Sequence, residues 1–137
     1  MAAIGAYIAA QILNVTLKQT GSLVSPATLG LALCVAAPTS VSISEIGSNS
    51  GYTPQTITFN SAAANATSVS NAATLLFGPF SSRQSISGFV VKDTLALGGA
   101  AGNVGNIIVR GVMGAPFCCS VGDYISIAVG ALKISIS

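Results

Sequence analysis

The sequence predicts a mainly β protein, an antiparallel β-sandwich or barrel with one N-terminal α-helix. Three observations carry this: one segment of helical period at the start, a change to period two after Gly21, and further strand-length runs divided by Gly, Pro, Asn and Ser. Several strands after one helix, with no second helical pattern, lack the alternation that builds parallel sheets. The 137 residues fall in the size range of one domain, with the helix in 1–21 and a β domain in 22–137.

In the first segment, Ala2 to Gln19, Ile4, Ile8, Ile12 and Val15 recur at helical spacing, Leu13 and Leu17 widen the stripe, and Gly21 can stop it. The other side is mostly Ala with little charge, so this helix needs cover nearly all round, from the domain or from a neighbour. Next, Leu29, Leu31, Leu33 and Val35 alternate with Gly30, Ala32, Cys34 and Ala36. That is a strand with one bulky face and one small face, and the small face admits another layer closely.

Further strands are expected at Thr53 to Phe59, Thr74 to Phe77, Ser85 to Lys92, Asn106 to Met113 and Tyr124 to Ser137. In the last of these, Ile125, Ile127 and Val129 hold odd positions while Leu132, Ile134 and Ile136 hold even ones. A one-residue slip turns core side chains to the wrong face unless a bulge or bend restores them, and Gly tolerates that geometry. The spacing therefore predicts a bulge or bend at Gly130-Ala131, in a strand that closes the sheet. Ser40 to Gly51 and Ser61 to Ala73 have no apolar period and read as loops. Gly98 to Gly105 is Gly-rich but lacks the Lys-Ser/Thr and following helix of a phosphate-binding loop, so it reads as a hairpin tip.

Charge is the most informative part of the composition. Only 6% of residues are charged, where soluble domains carry about 25%. They are Lys18, Glu45, Arg83, Lys92, Asp93, Arg110, Asp123 and Lys133, and the net charge is +2. A folded monomer of 13.5 kDa exposes roughly 6,500 Å², about 800 Å² per charge and close to one partner's share of a standard interface. Much of the surface is thus expected to be covered by neighbours, the alternative being a monomer solvated by its Ser, Thr, Asn and Gly. The mean hydropathy of +0.76 raises the question of a membrane. The best candidate span, Ala2 to Leu17, is interrupted by Gln11 and Asn14 and has no basic start, so neither anchor nor signal is expected.

The same residues argue against catalysis. There is no His, and Glu45, Asp93 and Asp123 stand in separate segments with no partner at a motif spacing. Cys118 or Cys119 would need a local base that no His supplies. No enzymatic activity, cofactor or metal is expected, and no catalytic, cofactor-binding or metal-ligating residue is proposed. Cys34, Cys118 and Cys119 are expected to be free, small buried hydrophobes, since neighbouring strand residues face opposite ways. Asp93 and Asp123 lie beside turn-like sequences and are expected to accept backbone N–H bonds. The basic residues do not cluster and Tyr7, Tyr52 and Tyr124 are not interleaved with them, so nucleic acid is not an expected partner. Asn14-Val15-Thr16 and Asn65-Ala66-Thr67 fit the glycosylation pattern and are read as chance.

The order of motifs then carries a resemblance. Pro26-Ala27-Thr28-Leu29-Gly30-Leu31-Ala32-Leu33, then Ala37-Pro38-Thr39-Ser40, Glu45 and Gly51-Tyr52 leading into Thr56-Ile57-Thr58-Phe59, open it. Ile86-Ser87-Gly88-Phe89-Val90-Val91 with Asp93, Gly105-Asn106-Ile107-Ile108, Val121-Gly122-Asp123-Tyr124 and Ala128-Val129-Gly130-Ala131-Leu132-Lys133-Ile134 continue it. From about Ser22 onward the chain resembles a family of small tailed-bacteriophage virion structural proteins, labelled capsid decoration (cement) or tail-fibre-like proteins. The Cys118-Cys119 pair, the Gly-rich insert and the weakly charged helix depart from its pattern.

The resemblance implies a decoration protein on the outer capsid surface of the virion. Copies, as homotrimers, would bridge subunits of the major capsid protein and stabilise the shell. The second expectation is a tail-associated module that binds a host receptor, with loops such as Ser61 to Ala73 as contacts. A self-assembling filament subunit such as a pilin is a third, opposed by the absence of a signal peptide.

Overall fold

The computed structural model describes residues 2–19, 25–39, 42–63, 65–96 and 105–135. The elements run β1 (Ala2–Ile4), α1 (Ala6–Thr16), β2 (Gly30–Cys34), a 3-10 turn (Ser48–Ser50), β3 (Gln55–Thr56), β4 (Ser68–Ser70), β5 (Leu75–Phe77), β6 (Gln84–Lys92), β7 (Ile107–Cys119), β8 (Ile125–Ile127) and β9 (Lys133–Ser135). The protein is mainly β and every strand pair is antiparallel, as the sequence predicts. One five-stranded sheet has the order β1-β7-β6-β2-β3, and β4-β9 and β5-β8 form two-stranded ribbons.

The two faces of β2 carry the core as its alternation predicts. Leu31 and Leu33 join Ile46, Tyr52, Ile57, Leu75, Phe77, Phe80, Ile86, Val91 and Cys119 in the larger cluster, with Ile125, Ile127 and Ile134 packed against it. The ribbons therefore cover the bulky face of the sheet. Ala32 and Cys34 face the other way, into a smaller cluster with Ile43, Val90 and Ile107. Ile86 and Val91 reach the same cluster despite opposite parity, and the β6–β7 register shifts between Ile86 and Gly88. There Ile86 pairs Phe117 and Gly88 pairs Val112, so β7 carries surplus residues that bow away from its partner.

Four expectations need correction. The helix does not begin at Ala2: Ala2–Ile4 is a strand paired with Val109 to Gly111, and Gly5 donates its N–H to Ile108 O at 2.7 Å. Ladder bonding at this edge outweighs helical period, and a Cβ at Gly5 would collide with the carbonyl of Ile107. Ser61 to Ala73 is not all loop, because β4 lies within it and pairs β9. β7 does not stop near Met113 but runs through Pro116 to Cys119; Pro is tolerated where a strand edge or bulge asks no N–H of it.

The C-terminal strand is also two strands, which join different ribbons. The predicted bend is present, since Gly130 has φ +76° and Ala131 N–H bonds Ala128 O at 3.0 Å in a turn. Asn71, fully buried, holds that turn. Its Nδ2 donates to Ala73 O and Ala128 O, each at 2.9 Å, and its Oδ1 accepts Leu132 N–H at 2.9 Å. The Gly98 to Gly105 hairpin tip lies, except for Gly105, outside the described residues. Of the Ser40 to Gly51 segment, Ile43, Glu45, Ile46 and Ser50 are buried, which is more interior than a plain loop implies.

Candidate interaction surface

The surface is best understood from what the interior removes from it. Glu45 and Lys92 are both buried and form an ion pair, Lys92 Nζ to Glu45 Oε2 at 2.7 Å. Lys92 Nζ also donates to Ala96 O at 2.7 Å. Tyr52 Oη donates to Glu45 Oε1 at 2.9 Å and accepts Leu33 N–H at 2.9 Å, while its ring stacks on Phe77 with centroids 5.9 Å apart. Burial, reinforced by the neighbouring Glu45 carboxylate, holds the Tyr52 hydroxyl well above its usual range. Burial first, and Glu45 second, push the Cys34 thiol up to about 12. These groups stay protonated at neutral pH and act as structure.

Sequence reasoning did not find this pair. Its signal was phase: Lys92 falls on the same side of β6 as Val90, and Glu45 stands two residues after Ile43, both in the smaller cluster. With two of eight charges inside, six serve a surface of 7477 Å², about one per 1,250 Å². The shortage of surface charge is thus greater than composition alone gives.

Asp93 and Asp123 act as expected. Asn106 N–H and Nδ2 donate to the two Asp93 oxygens, each at 2.7 Å, and Ser120 N–H donates to Asp123 Oδ2 at 2.8 Å. Among the described residues no group of three or more His, Cys, Asp or Glu could hold a metal. No described helix is long and apolar enough to cross a membrane. The three cysteines are free, and Cys34 and Cys119 are buried. Cys118 is exposed, against the expectation that all three are interior, because its neighbour Cys119 takes the inward position of the strand.

What the surface offers is apolar. Ile12, Leu13 and Leu17 of the helical segment are exposed, as are Val112, Met113 and Phe117 on the bowed part of β7. Beneath that part lies a cleft of about 330 Å³ between β6, β7 and β8. No charged side chain lines it. The Ser61 to Ala73 segment is exposed over 61–63 and 65–67 and carries no charge.

The family described as podophage GP4 fiber I protein gp80 matches residues 3–135. The chain belongs to this family. Membership makes it a structural protein of a bacteriophage virion, which agrees with an interior spent on packing and a surface poor in charge. No protein among those with curated descriptions matches it.

Proposed function

We propose that the chain is a non-catalytic subunit of a fibre on the tail of a short-tailed bacteriophage. The observation that carries this reading is the family match, which spans residues 3–135 and whose description is a fibre protein. The charge-poor surface supports a subunit built into a larger assembly. On this reading the protein works by packing and by presenting loops, without cofactor, nucleic acid or membrane.

The second reading is the one the sequence resemblance implies, a homotrimeric capsid decoration protein bridging major capsid subunits. One observation favours it: the surface is poor in charge, with Glu45 and Lys92 of the eight charged residues buried, which suits a subunit seated flat on a protein lattice. Copy number separates the two. Quantitative mass spectrometry of intact virions, with gold-labelled antibody for location, is expected to find few copies per particle, at the tail. Hundreds of copies spread over the head would overturn the fibre reading in favour of decoration.

A further inference from the structure

Lys92 and Glu45 meet in a site closed to water, where they, Tyr52 and Cys34 are each no more than 1% exposed. Both chain segments are held by pairing of their own. Glu45 bridges Cys34 of β2, with Val35 N–H bonded to Ser44 O at 2.8 Å and Ile46 N–H to Leu33 O at 3.1 Å. Lys92 ends β6, paired with Gly30 on one side and Ile107 on the other. The amine and the carboxyl therefore have little freedom to part, which is the condition under which two groups react with a high effective concentration.

We propose that the clasp is the precursor of an intramolecular isopeptide bond, an amide that joins Lys92 Nζ to the side-chain carbonyl carbon, Cδ, of Glu45. The step balances within the pair. A proton moves along the 2.7 Å bond from Nζ to Oε2, leaving a neutral amine beside a neutral acid. The nitrogen lone pair then attacks Cδ, the bond from Cδ to Oε2 breaks, and Oε2 leaves as water with two of the three ammonium protons. The third proton stays on nitrogen as the amide N–H. No oxidant, cofactor or co-reactant is needed.

The surroundings suit this step. Tyr52 Oη donates to Oε1 at 2.9 Å, and Oε1 is the oxygen that takes the negative charge of the tetrahedral intermediate and becomes the amide carbonyl. A donor already fixed there stabilises that charge as it develops. The product keeps its hydrogen bonds, since the amide N–H can still donate to Ala96 O and the new carbonyl still accepts from Tyr52. It also removes two charges from an interior in which burying ions is costly. Ala96 is exposed, so the water formed is released beside solvent. The bond would close a loop across 47 positions of the sequence, and such a cross-link restricts the unfolded chain. Freshly folded chain holds the ion pair, and the amide accumulates with time, in a tail or a shell position alike.

Mass spectrometry of the full chain tests this, on protein folded and aged in buffer and on protein taken from virions. A species lighter by one water is expected, with a share that grows with age, and none is expected in chain held in guanidinium. An acylated lysine resists trypsin, so in the lighter species the peptides 19–83 and 84–110 are expected to stay joined, with tandem spectra placing the link between Glu45 and Lys92. Tyr52→Phe keeps the ring and removes the donor, and is expected to slow the loss of water about 100-fold, with circular dichroism as the check on folding.

Full mass in both the aged and the virion chain overturns the proposal. So does a water lost at Asp93 or Asp123 with Lys92 still open to trypsin, or an equal rate in guanidinium. These readings are made on the wild type and stand even if Tyr52→Phe does not fold. A folded Tyr52→Phe that reacts at the wild-type rate overturns the part given to Tyr52.

Discussion

The Glu45–Lys92–Tyr52 clasp and the bowed half of β7 handle polarity in opposite ways. At the clasp, two of the chain's eight charges are withdrawn from water and every polar atom described there finds a partner within 2.9 Å. On β7, Val112, Met113 and Phe117 are left in water beside a cleft without charge. A free monomer gains more from the reverse arrangement, since buried ion pairs contribute little net stability and exposed charge keeps a protein dispersed. The contrast teaches that the clasp satisfies its polar groups inside the fold, while the bowed half of β7 keeps apolar side chains exposed.

The sharpest way to break this contrast is at the clasp. Glu45→Ala leaves Lys92 buried and unpaired and is expected to cost about 3–5 kcal/mol in a denaturant titration. Glu45→Met combined with Lys92→Met is expected to recover most of it, and a double variant as unstable as the single one would mean that the pair does more than satisfy itself.

The next effect is on pH. Cys34, 0% exposed, has its thiol raised from 9.0 to about 12, so between these values the unfolded chain has lost a proton that the folded one keeps. Its contribution is fully present below pH 9 and is lost as pH rises, at about 1.4 kcal/mol per unit. Unfolding midpoints from pH 8 to 11 are expected to fall, and to fall less steeply in Cys34→Ala. Equal slopes would remove Cys34 from the account.

A smaller cost is expected at Gly130, where φ is +76° and a Cβ would meet nothing within 4 Å. Gly130→Val is expected to cost about 1–2 kcal/mol from backbone strain alone; an unchanged midpoint would mean that the turn can take another form. Smallest of all, Phe117→Ser in a monomeric preparation is expected to shift stability by no more than ~0.5 kcal/mol. A large loss there would show that the bowed half of β7 supports the fold itself, and the contrast with the clasp would fail.

Legibility in the sequence followed contact distance. The two faces of β2 and the bend at Gly130 were readable because alternation and its slip are local. β1 and β4 were not, since each has three residues and pairs a strand far along the chain. The extension of β7 was hidden by Pro116, which normally ends a strand. Glu45 and Lys92 stand 47 residues apart, and nothing local says that a charge inside one apolar phase meets its counter-ion in another. The apolar surface was readable only as a shortage of charge; its place on α1 and β7 needed the fold.

Asn71 bears on how the protein ages. Loss of its side-chain amide would turn two donors into a carboxylate oxygen facing the carbonyls of Ala73 and Ala128, and the turn between the ribbons would be pushed open. The usual route to that damage is attack by the next residue's backbone nitrogen on the side-chain carbonyl. Here the N–H of Ala72 is already bonded to Thr58 O at 2.8 Å, and the Asn71 side chain is held by three bonds of its own. The residue that holds the ribbons together is therefore also fixed in a geometry that slows its own decay, which matters for a particle that cannot replace its subunits once released.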